Sequence, residues 1–239
     1  MHLQHTDALR NLADFESLLK TAGPWLGAFD FPFGLPRDFV DQHDLGTNAD
    51  AVIAEVHRRC ANRMAFRTMI DEWGNTRPAG HRLIHRATDL ALLGKRSISP
   101  LQTRYVPVGF MYYEGLQRLV AADVNIPQLR AGDVARTALE GYPALLAEEL
   151  VGRRSYKNAD STERLQARKD IVAGLEQGAT KLAQRLVLTK AQGDELVADA
   201  SGDRLDAVMC LMQASWAMGQ LSYGLPAAID PVEGWIISS

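Results

Sequence analysis

An α/β domain, rich in helix and with a reduced sheet, is what this chain of 239 residues predicts. Two short apolar runs, Trp25-Leu-Gly-Ala-Phe29 and Thr137-Ala-Leu139, have the near-continuous hydrophobicity of strands buried on both faces, as in parallel sheets. Each ends in an acid, Asp30 and Glu140. Most of the remaining sequence shows apolar residues at helical spacing.

Taken in order, residues 7–22 place Leu9, Leu12, Phe15, Leu18 and Leu19 on one helical face, and Gly23-Pro24 stops the run. The strand 25–30 follows, and two prolines and a glycine in Phe31-Pro-Phe-Gly-Leu-Pro36 make a rigid loop. Asn48 caps a predicted long helix to about Trp73, with Val52, Val56, Cys60, Met64 and Ile70 on one stripe and Arg58, Arg59, Arg63 and Arg67 on the other face. Residues 74–104 read as irregular and basic, and Phe110–Ala122 as helix. After the strand ending at Glu140, Gly141-Tyr-Pro143 breaks the chain, and residues 144–151, 161–175, 178–187 and 203–218 read as helices. Asp160 and Glu163 suit a capping pair. Two parallel strands do not make a self-sufficient core, so either further strands are expected in 125–137 and 232–238, or the fold has lost some.

Composition narrows the function classes. Hydrophobic residues make up 46% and charged residues 23%, an ordinary globular balance, and the net charge of -3 gives no global basic field for nucleic acid. Any such role must rest on a local patch, for which Arg77, Arg82, Arg86, Lys95 and Arg96 are the candidates. Cys60 and Cys210 are far apart, match no zinc spacing and read as buried reduced thiols, which fits a cytoplasmic location. Met1–His5 has neither the basic start nor the apolar core of a secretory leader. The uncharged stretch 207–229 contains Gln213, Gly219, Gln220, Gly224 and Pro226, so it reads as a buried helix and loop rather than a membrane span.

Strand ends and helix starts lie at the rim of an α/β sheet, where ligands bind. Asp30, Glu140, Asp203 and Asp206 all occupy such positions, and acids gathered there repel one another unless a cation lies between them. The expectation is a divalent-metal site with hard oxygen ligands suited to Mg²⁺ or Mn²⁺. Each acid also has a plainer reading. Asp30 and Glu140 could satisfy loop amides, and Asp203 and Asp206, three apart at a helix start, suit capping and the helix dipole. Lys157, after Tyr156 in a polar loop, is a phosphate contact or an exposed lysine, and the 77–96 segment is a phosphate patch or a solvated loop. His81 and His85 lack the glutamate of a His-Glu-x-x-His zinc motif. Met209, Met212, Trp216 and Met218 read as core. No dinucleotide-binding glycine motif, Walker loop or nucleophile elbow is present.

Five motifs in order, Asp30-Phe-Pro-Phe-Gly-Leu-Pro36, Glu140-Gly-Tyr-Pro143, Ser155-Tyr-Lys157, Gly202-Asp-Arg-Leu-Asp-Ala207 and Glu233-Gly-Trp-Ile236, resemble the domain of unknown function 429 family. That family is regarded as predicted nucleases of ribonuclease H-like fold, and the resemblance spans roughly residues 7–237. It implies one ribonuclease H-like domain over 1–239 with a helical insertion at about 44–130. It further implies a metal-dependent nuclease in which Asp30, Glu140 and Asp206 hold two cations, with Asp203 as a fourth acid or a group supporting the ligands from behind. Tyr156, Lys157, Arg77, Arg82 and Arg86 would then bind substrate. The family's opening strand, with its own aspartate, has no match in Met1–Thr6, so part of the sheet is expected to be missing. The rival expectation is a non-catalytic remnant that pairs with a partner or with itself through an exposed sheet edge.

Overall fold

The computed structural model describes residues 1–91 and 97–239. Its sheet has three strands, β1 (Trp25–Phe29), β2 (Val124–Asn125) and β3 (Asp133–Glu140), in the order β1-β3-β2 and all parallel. The register runs from Trp25 opposite Arg136 to Phe29 opposite Glu140. Both predicted strands are present, the second beginning earlier than the apolar run alone indicates. The strand sought in 125–137 is β2 together with that early start of β3. In 232–238 a single bridge, Ile236 to Glu140, stands where a strand was sought.

Successive strand residues face opposite sides, and each side has its own cover. Trp25, Phe29 and Ala138 face a cluster that includes Phe33, Phe39, Val56, Phe66 and Leu116. That cluster is supplied by α2 (Arg37–Gln42), α3 (Ala49–Arg59), α4 (Arg63–Asn75) and α6 (Val108–Ala121), which follows the short α5 (Ala87–Ala91). Leu26, Ala28 and Leu139 turn to the other side and meet Ala217 and Ile237. Helix α10 (Asp203–Met218) packs across β1 there, backed by α7 (Ala144–Val151), α8 (Thr162–Gln177) and α9 (Lys190–Ala198). The outcome is a mixed α/β fold with helices on both faces of a small open parallel sheet.

Several predicted boundaries change. The first helix, α1 (Leu12–Leu19), is shorter than 7–22, because Asn11 caps it by accepting from the Asp14 amide; Leu9, Leu12 and Leu18 are exposed and only Leu19 is buried. The single helix 48–73 is two: Cys60 is extended, and Asn62 starts α4 by accepting from the amides of Met64 and Ala65. Met64 consequently leaves the buried stripe. Asn48 does cap α3, accepting from the Ala51 amide. Ser161, not Asp160, caps α8. Residues 178–187 are not helical: Gly178 ends α8 in the left-handed region at φ 71°, and Val187 runs beside His2. No described helix is long and apolar enough to cross a membrane. Both cysteines are buried and unpaired.

Candidate active site

β1 and β3 deliver their terminal acids to the carboxyl edge of the sheet. Phe29 and Glu140 are register partners and share a face, so Glu140 points towards the α2–α6 side and Asp30, one residue further, towards α10. α10 starts at this edge and places Asp206 in its first turn. The loop after α7 brings Tyr156 and Lys157 over it. Asp30, Glu140, Asp203, Asp206 and Lys157 all line one cavity of about 340 Å³, whose remaining wall is largely apolar, with Pro32, Ile98, Val106, Met111 and Ile236. The acids singled out in the sequence therefore converge, but not equivalently.

Glu140 is 3% exposed and fully engaged. The Arg86 guanidinium donates to both its oxygens, at 2.6 and 2.9 Å, and the Phe33 amide donates at 2.9 Å. Arg86, 1% exposed, also donates to Asp89 and to the Glu233 carbonyl; Ser97 donates to Asp89. Burial raises the Glu140 pKa, and the charge and hydrogen bonds of Arg86 oppose that rise. Desolvation works against the Arg86 cation, yet Glu140 and Asp89 hold its pKa above the usual value. Arg86 is thus committed inside the protein.

Asp206 is engaged too. The Tyr156 hydroxyl donates to Oδ1 at 2.5 Å, and the Lys157 ammonium donates to Oδ2. Asp30 differs from both: among the described residues no hydrogen bond reaches its carboxylate. Burial raises its pKa; Lys157 opposes the shift and Asp203 adds to it. Its charge, after burial, pushes the Tyr142 hydroxyl up to about 12 and contributes to the raised pKa values of Tyr156 and Cys210. Asp203 is exposed; Gly202 is the N-cap of α10, and the Asp203 amide donates to the Ser201 hydroxyl at 3.2 Å.

The other predicted contacts lie elsewhere. Arg77 stacks on Trp73 at 4.4 Å and donates to the His81 carbonyl, and Arg82 borders a depression beside Gly74; neither lines the cavity. Lys95 and Arg96 fall outside the described residues. Sequence reasoning did not foresee the guanidinium lock on Glu140, nor Asp89 within it. It also missed the role of Glu233, whose carboxylate receives the Arg37 and Ala87 amides and so caps α2 and α5 together. Glu233 does belong to a quoted motif, which is the one signal that pointed to it.

Among the described residues the four acids do not form one ligand group. Both oxygens of Glu140 and both of Asp206 accept from cations or hydroxyl of the chain itself, and no group of three or more His, Cys, Asp or Glu among the described residues is placed to hold a metal. What the arrangement offers is the half-buried Asp30 carboxylate, with a raised pKa and no hydrogen bond among the described residues, on a largely apolar cavity that the Lys157 ammonium also lines. The chain matches no family model, no curated protein and no solved structure. Fold and site define its class: an α/β protein with an acid-lined cavity at the carboxyl edge of a parallel sheet.

Proposed function

We propose that the chain is a ribonuclease H-like hydrolase related to the domain of unknown function 429 family, and that this cavity cleaves a phosphodiester, with nucleic acid as the substrate class the motifs imply. One observation carries the reading: Asp30, which has no hydrogen bond to its carboxylate among the described residues, lines a cavity that Asp203, Asp206 and Lys157 also line. A raised carboxyl pKa moves Asp30 towards the range in which a general base works near neutral pH. In this role it takes a proton from water as the water oxygen bonds to phosphorus; the opposite P–O ester bond breaks, and the departing alkoxide takes a proton from solvent. The Lys157 ammonium lies on the same side and offers charge to a phosphoryl oxygen, while Arg86 fixes Glu140 as a wall. Glu140 and Asp206 are bonded within the chain, and no step is assigned to a metal. The buried, unpaired cysteines suit a cytoplasmic enzyme.

The test is hydrolysis of bis(p-nitrophenyl) phosphate and of single-stranded and duplex DNA and RNA, with Mg²⁺, with Mn²⁺ and with chelator. Wild type should turn over at least one substrate, and Asp30→Asn should be slower by about 100-fold or more, the usual contribution of a general base. Equal rates, or no turnover of any substrate by wild type, refute the proposal.

A second reading has its own support. Glu140 and Asp206 are spent on internal ion pairs, and the outer edge of β1 has no strand partner among the described residues. A non-catalytic fold that pairs through that edge accounts for both. It requires an oligomer by light scattering and an inert Asp30.

A further inference from the structure

We infer that the ammonium of Lys157 is the resident cation of the Asp30–Asp203–Asp206 cluster, so that the chain itself supplies the charge a divalent ion would otherwise bring. Four observations converge. Lys157 bonds Asp206 directly, and it is the cation that opposes the rise in the Asp30 pKa. Its position is built rather than incidental: Arg168, fully buried, donates to the Tyr156 carbonyl at 3.0 Å, and Arg164 donates to the Lys157 carbonyl. Two side chains of α8 thus pin the backbone that carries the lysine. Gly202 leaves room for it, since a Cβ there would lie 2.8 Å from the Lys157 Cγ and 3.3 Å from the Tyr156 ring. Finally, Tyr156 donates to the second Asp206 oxygen, so each oxygen of that carboxylate already accepts from the chain itself.

Acids that converge at a sheet edge need a positive charge among them. A lysine held by a short, anchored loop provides it permanently and makes the site indifferent to divalent ions. A metal ion taking Asp206 as a ligand would compete with the ammonium for it. The inference concerns the same cavity as the proposed hydrolysis, but rests on the geometry of Lys157 and is read without turnover, so either can fail alone.

The experiment compares full-length wild type and Lys157→Met in thermal melts with 0 and ~5 mM Mn²⁺, together with Mn²⁺ binding followed by electron paramagnetic resonance. Wild type should show no bound Mn²⁺ and no shift in Tm. Lys157→Met should melt lower without metal, bind Mn²⁺ and recover roughly 5 °C with it, as expected when a ligand binds only the folded state. Adding Asp206→Asn to that variant should abolish the recovery. Mn²⁺ bound by wild type and lost in Asp206→Asn overturns the inference, as does a folded Lys157→Met that ignores Mn²⁺. Should Lys157→Met not fold, Lys157→Gln, which keeps a donor for Asp206 and removes only the charge, carries the same expectation.

Discussion

Placed between Phe29 and Phe31, half-buried and without a hydrogen-bond donor among the described residues, the Asp30 carboxylate ionises less easily in the folded chain than in the unfolded one. The sign of the resulting stability effect follows. A carboxyl whose pKa is raised by folding favours the folded state in acid, where it is protonated, and that advantage disappears as pH rises through the folded-state pKa. At neutral pH the ionised group therefore works against folding. Asp30→Asn should raise Tm at pH 8 by roughly 2–4 °C, and the gain should shrink steadily towards pH 5. A gain independent of pH, or a loss at pH 8, would show that Asp30 is structural. The acids themselves were legible because each closes an apolar run or opens a helix. Their partners were not: Arg86 lies 54 residues before Glu140, and Lys157 lies 49 before Asp206. No local pattern announces pairings over such distances, and a patch reading of Arg86 as a phosphate contact could not foresee its burial.

Elements with strong local signals emerged where the sequence placed them. β1, α7 and α10 are bounded by prolines, glycines or caps that act within a few residues. The failures concern competing local signals and remote partners. Between α3 and α4 the apolar stripe passes unbroken through Cys60, and periodicity outweighed the cap written in Asn62. That cap is testable. Asn62 satisfies two otherwise unpaired amides at 3.0 Å each, and replacing an N-cap with alanine costs about 1 kcal/mol. Asn62→Ala should lower Tm by roughly 2–4 °C in calorimetry, and an unchanged Tm would show that packing alone sets the break. Residues 178–187 failed for the opposite reason. Leu182 and Leu186 are buried as a helical face would be, yet an irregular segment holds them, with the Leu186 amide on the Leu175 carbonyl and Val187 beside His2. That arrangement depends on the chain's first residues. α9 carried a readable start, since Thr189 and Gln192 form a reciprocal capping box, but weak apolar periodicity hid it.

Across the whole molecule, a three-stranded sheet is too small to hold two helical layers by its own hydrogen bonds, and the Arg86 lock supplies a cross-tie. Its guanidinium joins the end of β3 through Glu140, the start of α5 through Asp89 and the C-terminal segment through the Glu233 carbonyl, 147 residues away. Glu233 extends the tie to α2 through the Arg37 amide. Two carboxylates share one guanidinium in a nearly dry setting, so removing it strands both. Breaking a buried ion pair from one side costs about 3–5 kcal/mol, and Arg86→Met should lose that much in urea denaturation at pH 8. Burial already drives the Glu140 pKa upward against Arg86. Once the arginine is gone, Glu140 can fold without penalty only by taking up a proton. The folded variant then binds more protons than its unfolded state, and its deficit relative to wild type should be larger at pH 8 than at pH 5. A loss below about 1 kcal/mol, or one equal at both pH values, would mean that the hydrophobic layers hold these segments together without the lock.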